Sequence, residues 1–105
     1  MTESVVILGI ARTAMGGMQG VFADLPAPQL GGAAIKGALE DAKIPASEVT
    51  EVLMGCVLPA AVGQAPARQA SLAGGISKSV PTTTVNKVCG SGLKTVMMAR
   101  DSLLS

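Results

Sequence analysis

A chain that is 49% apolar yet carries a single aromatic side chain, Phe22, cannot build the usual core of a small domain. A lone domain of 105 residues normally draws much of its buried area from a few large rings. This chain offers Ala, Gly, Val, Leu and Met, which suit layers packed closely inside a larger body. We therefore expect a piece of something bigger, in which these 105 residues are an incomplete part of one domain. The apolar content excludes a disordered chain. Eight basic residues against seven acidic ones leave a net charge of +1 with no basic patch, so no nucleic-acid partner is expected.

The start Met1-Thr2-Glu3 has no basic leader, and Val5–Ile10 is too short for a signal core. The longer uncharged runs hold Pro59, Gln64 and Pro66 and do not read as a membrane span, so no membrane partner is expected. Two Cys without an export signal point to free thiols in a reducing compartment, taken as the cytoplasm. The absence of His is the most restrictive count. It rules out a Ser-His or Cys-His dyad and a structural zinc cluster within these residues, and no metal site is expected.

Along the chain, Val5–Leu8 is an unbroken apolar run and predicts a strand buried on both faces. A Gly-rich loop from Arg12 to Pro28 follows. Leu30, Ala34, Ala38, Leu39 and Ala42 recur at helical spacing, with Lys36, Glu40 and Lys43 on the other side and Pro28 and Pro45 as punctuation. Val49–Leu58 predicts a second strand. The segment from Pro66 predicts a short helix ended by Gly74-Gly75, and Thr82–Val88 a third strand rich in β-branched residues. A last helix, Leu93–Leu104, is apolar nearly all round and is expected to be buried, with Arg100 inside its apolar arc needing a partner elsewhere. The order β-α-β-α-β-α predicts an α/β fold with right-handed crossovers and a mostly parallel sheet.

Cys89 stands where the third strand gives way to the last helix. A helix start directs unpaired N–H groups and partial positive charge at such a thiol, which favours the nucleophilic thiolate. Gly90, Ser91 and Gly92 form the supporting turn, which allows close approach of a ligand and can aim N–H groups at an oxyanion. The plainer alternative is that Cys89 is only a small buried residue. Cys56, inside an apolar run, reads as a buried structural thiol. Gly90-Ser-Gly-Leu-Lys-Thr lacks the frame of a phosphate-binding loop, and no dinucleotide fingerprint follows the first strand. Gln64 and Arg68 read either as a solvated helix start or as a subunit contact.

The run Val85-Asn-Lys-Val-Cys-Gly-Ser-Gly-Leu-Lys-Thr-Val, with Leu103 beyond it, resembles the acyl-enzyme signature of thiolases. Val6-Ile-Leu-Gly-Ile-Ala-Arg-Thr and Gly63-Gln-Ala-Pro-Ala-Arg-Gln agree with the same family. The resemblance covers essentially the whole chain. It implies a layered α-β-α thiolase-like fold, with residues 1–105 an incomplete N-terminal part of the thiolase N-terminal domain.

By the same resemblance, the activity implied is that of a biosynthetic-type acetyl-CoA acetyltransferase, acting on coenzyme A thioesters without a further cofactor. The Cys matching Cys89 would carry the acyl group as a thioester, with its backbone N–H as an oxyanion donor. The family's dimers or tetramers imply a homo-oligomer, written as a homotetramer at its fullest. The family's activating His, second catalytic Cys and coenzyme A-binding loops have no counterpart here and are expected beyond Ser105. The isolated chain is therefore expected to be inactive. A ketoacyl synthase-like condensing enzyme and a non-catalytic thiolase-like protein that binds coenzyme A esters are the alternatives.

Overall fold

A computed structural model of the chain describes residues 3–105. Helix α1 spans Ala27–Ala42, strand β1 Val52–Gly55, helix α2 Pro66–Ala73, strand β2 Thr82–Val85 and helix α3 Ser91–Leu104, with one 3-10 turn at Ala46–Glu48. The two strands pair in parallel, Val52 opposite Thr82 and Gly55 opposite Val85. A parallel pair needs a crossover between its strands, and α2 provides it.

Local chemistry accounts for the boundaries. Proline fixes φ and lacks an N–H, so it fits the first turn of a helix, and both α1 and α2 carry it there. Helix α1 ends at Lys43, whose left-handed backbone brings the following Ile44 N–H to the Leu39 carbonyl at 3.1 Å before Pro45 prevents continuation. Gly74 and Gly75 end α2, as the sequence predicts.

The aromatic-poor composition has a direct structural consequence. Where α1 crosses α2, a Cβ placed on Gly31 would stand 2.9 Å from the Ala70 Cβ, and one on Gly32 would stand 2.7 Å from the Ala73 Cβ. The two helices thus meet almost backbone to backbone, at a separation large side chains would forbid. Strand side chains alternate between faces. Val52 and Met54 face α1 and α2, packing with Ile76, Val80, Ile35 and Leu39 as the core. Gly55 faces the start of α3.

Arg68 of α2 ties the helix to the loop that leads into β2. Its guanidinium donates to the Val80 carbonyl at 3.2 Å and to the Lys78 carbonyl at 2.7 Å. Arg68→Met keeps the aliphatic stem but leaves both carbonyls unpaired. It is expected to lower the unfolding free energy by about 1–3 kcal/mol, read as a fall in Tm by calorimetry.

Two sequence expectations are corrected for the described residues, the first strand and with it the element order. Val5–Leu8 forms no strand, and Ile7 is 74% exposed. A strand requires a ladder partner. This segment is instead held beside α1: the Ile10 N–H donates to Asp41 Oδ2 at 2.9 Å, and Gly9 lies against Ala38 and Ala42. The observed order is accordingly α-β-α-β-α.

Within the described residues one side of helix α3 is covered and the other is open, as the expectation of a larger body requires. Its small polar side, Ser91 and Thr95, packs inward, whereas Leu93 is 69% and Met97 51% exposed. Arg100 lies on the surface with a 3.5 Å ion pair to Asp101, an exposed contact that contributes little. Exposure on this scale is general. The accessible surface is 7496 Å², against roughly 5,400 Å² expected for a folded monomer of this mass.

Candidate active site

In a parallel sheet the carboxyl ends of the strands are where ligands gather. Here that edge is formed by Gly55-Cys56 and Val85-Asn86, and the ladder runs one step past β1 through a 2.9 Å bond from the Cys56 N–H to the Val85 carbonyl. Cys89 follows β2 by four residues and precedes the first residue of α3 by two. Its side chain is exposed within the described residues. Cys56 is half-buried and lies just past the end of β1 rather than within it, lining a small cavity with Pro28, Met54 and Ala67.

The turn carrying Cys89 is closed by side chains as well as backbone. Asn86 accepts the Val88 N–H on its Oδ1 at 3.0 Å, an Asx turn, and its amide donates to the Val57 carbonyl at 3.4 Å. The Ser91 hydroxyl accepts the Lys87 N–H at 2.8 Å and donates to the Val88 carbonyl at 2.6 Å. The Gly90 N–H donates to the Lys87 carbonyl and the Ser91 N–H to the Val88 carbonyl. Among the described residues, the N–H groups of Lys87, Val88, Gly90 and Ser91 each have an acceptor, and that of Cys89 has none.

Of the supporting turn named from sequence, Gly90 is the N-cap of α3, Ser91 is its first residue and Gly92 follows within the helix. The N-terminal end of α3 is pressed against β1: a Cβ on Gly55 would stand 2.7 Å from the Ser91 carbonyl carbon and 2.8 Å from the Gly92 nitrogen. On the same edge of the sheet, the loop after β1 is stapled to α2 by the Gln69 amide, which donates to the Val62 and Gln64 carbonyls at 2.8 Å each. Arg68 has its guanidinium engaged within the chain, which leaves Gln64, exposed, as the polar group this segment can offer outward.

The clasping roles of Asn86 and Gln69 are not drawn from sequence. The signal for Asn86 is present, since Asn two residues before a backbone N–H is an Asx-turn former. The structure therefore gathers an accessible thiol, an N–H with no intramolecular acceptor and the start of a 14-residue helix at one sheet edge. That set of groups can attack a carbonyl carbon and hold the resulting oxyanion. It contains no imidazole to move a proton, because the sequence contains none.

A family model described as the thiolase N-terminal domain matches residues 5–105. The acetyl-CoA acetyltransferase B, mitochondrial, of Xenopus laevis is 58% identical over 102 residues, covering 97% of this chain and 24% of that protein. The acetyl-CoA acetyltransferase of Cupriavidus necator is 52% identical over 105 residues, covering 100% of this chain and 26% of that protein. The acetyl-CoA acetyltransferase 2 of Arabidopsis thaliana is 54% identical over 101 residues, with 96% and 25% covered. The chain thus spans about a quarter of the length of the curated relatives it matches.

Proposed function

Because the chain belongs to the thiolase family through its N-terminal domain, we propose that it is part of a longer acetyl-CoA acetyltransferase and supplies that enzyme's nucleophile. The observation that carries this reading is the exposed Cys89 thiol, set before α3 beside its own unengaged N–H. In the proposed reaction the Cys89 sulfur attacks the carbonyl carbon of acetyl-CoA. The bond from that carbon to the coenzyme A sulfur breaks, and the coenzyme leaves as its thiol with the proton that Cys89 gives up, carried by a base outside these residues. The acetyl group then rests on Cys89 as a thioester.

A second acetyl-CoA gives its α-proton to a base outside these residues, and the resulting carbanion attacks the thioester carbon. A carbon–carbon bond forms, the bond to the Cys89 sulfur breaks, and acetoacetyl-CoA is released. Thiolysis is the same sequence in reverse. During both attacks negative charge develops on the thioester oxygen, where the Cys89 N–H and the α3 helix start stabilise it.

Residues 1–105 are read as the opening part of the N-terminal domain, with the base, the second Cys and the coenzyme A-binding loops in the remainder of the protein. We read the whole protein as a homo-oligomer, a dimer or tetramer, with the exposed Gln64 segment as a candidate contact. We place it in the cytoplasm, supported by the two free thiols. The vertebrate relatives carry the word mitochondrial in their names, so fractionation decides this point. Among the described residues no helix is long and apolar enough to cross a membrane. The family match sets the chain apart from the ketoacyl synthase alternative.

The test is turnover of acetoacetyl-CoA and coenzyme A. The full-length protein is expected to release acetyl-CoA, whereas the 105-residue chain alone is expected to release none, for want of a base. Full-length protein that binds coenzyme A esters without turning them over would favour the non-catalytic alternative. Thiolysis by the isolated chain would contradict the division of labour proposed here.

A further inference from the structure

Resting on Cys89 as the acyl carrier, we propose that Ser91, with Asn86 as a second arm, is a positioning residue that holds Val88 in a strained backbone conformation and so aims the Cys89 N–H and sulfur. Val88 has φ of 48°. A β-branched residue in the left-handed region is a genuine outlier, and such strain persists only where the surroundings over-determine it. The over-determination here is explicit. Side chains hydrogen-bond both peptide groups that flank Val88, its N–H to Asn86 Oδ1 and its carbonyl to the Ser91 hydroxyl, and Ser91 Oγ also accepts the Lys87 N–H one peptide earlier.

Ser91 can serve as acceptor and donor at once because a hydroxyl has both capacities. It is 5% exposed, and Gly55 lies directly against it. Water therefore has little access to replace these bonds. If the clasp opens, Val88 relaxes toward negative φ. The peptide that carries the Cys89 N–H then rotates, because a change of φ at one residue redirects the chain that follows.

The test uses full-length protein and two readouts: the single-turnover rate of acetyl-Cys89 formation from acetyl-CoA, and the pH profile of Cys89 alkylation by iodoacetamide. Ser91→Ala is expected to slow acetyl transfer by about 10²-fold, the usual consequence of an ångström-scale misplacement, and to alter the alkylation profile. The KM for acetyl-CoA is expected to stay nearly constant. Ser91→Thr keeps the hydroxyl and is expected to restore most of the rate. Adding Val88→Gly to Ser91→Ala is expected to recover about tenfold, because glycine enters the left-handed region without strain.

Asn86→Ala, at an exposed position, is expected to slow transfer in the same direction and serves if Ser91→Ala does not fold. Wild-type rates and profiles in the Ser91→Ala or Asn86→Ala proteins would overturn the proposal. Cys89→Ala separates the two levels of the account. If it forms no acyl-enzyme while the clasp variants match wild type, only the clasp fails. If it still forms one, the reading of Cys89 itself fails.

Discussion

Replacing Cys89 by Ala in the full-length protein is expected to reduce both condensation and thiolysis by at least about 10⁴-fold, the scale seen when a covalent nucleophile is removed. No nearby group can substitute. The hydroxyl that is nearest in sequence, Ser91, is buried and engaged in two hydrogen bonds. The remaining thiol, Cys56, is half-buried beside a cavity lined by Pro28, Met54 and Ala67. Cys56→Ala is accordingly expected to leave turnover within about twofold, because it removes one small group from a partly open site. Steady-state assays of the two variants side by side make the comparison. Comparable losses in both would remove the distinction between a working thiol and a structural one.

The second large effect is expected at a residue with no chemistry of its own. Gly55 lies at the end of β1, and any Cβ there would stand 2.7–2.9 Å from backbone and side-chain atoms of Ser91 and Gly92. Those atoms belong to the first turn of α3 and cannot give way as a flexible side-chain tip could. In Gly55→Val the helix must therefore move off the sheet, and it carries the Cys89 turn with it. Overpacking of this kind costs about 1–3 kcal/mol in stability. The displacement is expected to lower kcat by about 10²-fold or more, since catalysis fails on ångström-scale errors. Paired thermal unfolding and single-turnover measurements on Gly55→Val are expected to show a rate loss larger than the stability loss implies. A variant that is destabilised yet acylates normally would mean that α3 does not need β1 to aim the turn.

Much of the fold is legible in the sequence because prolines and glycines mark where elements must stop. Pro28, Pro45, Pro66 and the Gly74-Gly75 pair bound α1 and α2 closely, and Cys89 stands at the strand-to-helix joint its neighbours imply. The strands are shorter than the apolar runs suggest, because a strand ends where its ladder ends: β1 occupies Val52–Gly55 within Val49–Leu58, and β2 stops at Val85 as the chain turns. Val5–Leu8 shows the same limit more strongly, since composition marks a run as able to pair but cannot supply a partner.

Helix α3 teaches a different lesson. Periodicity locates its apolar arc at Leu93 and Met97, but the side that meets the sheet is the small one, Ser91 and Thr95. The close contact at Gly55 selects small residues over apolar ones there. The left-handed backbone of Val88 had no glycine to announce it, and the Ser91 and Asn86 bonds that hold it depend on side-chain geometry rather than residue type.

The most direct test is to expose the full-length protein briefly to acetyl-CoA, quench it in acid and map the modified peptides by mass. The account predicts a single acetyl group on the peptide containing Cys89, removed when coenzyme A is added before quenching, and none on the peptide containing Cys56. Acetyl groups found elsewhere, or on neither thiol in protein that turns substrate over, would contradict it.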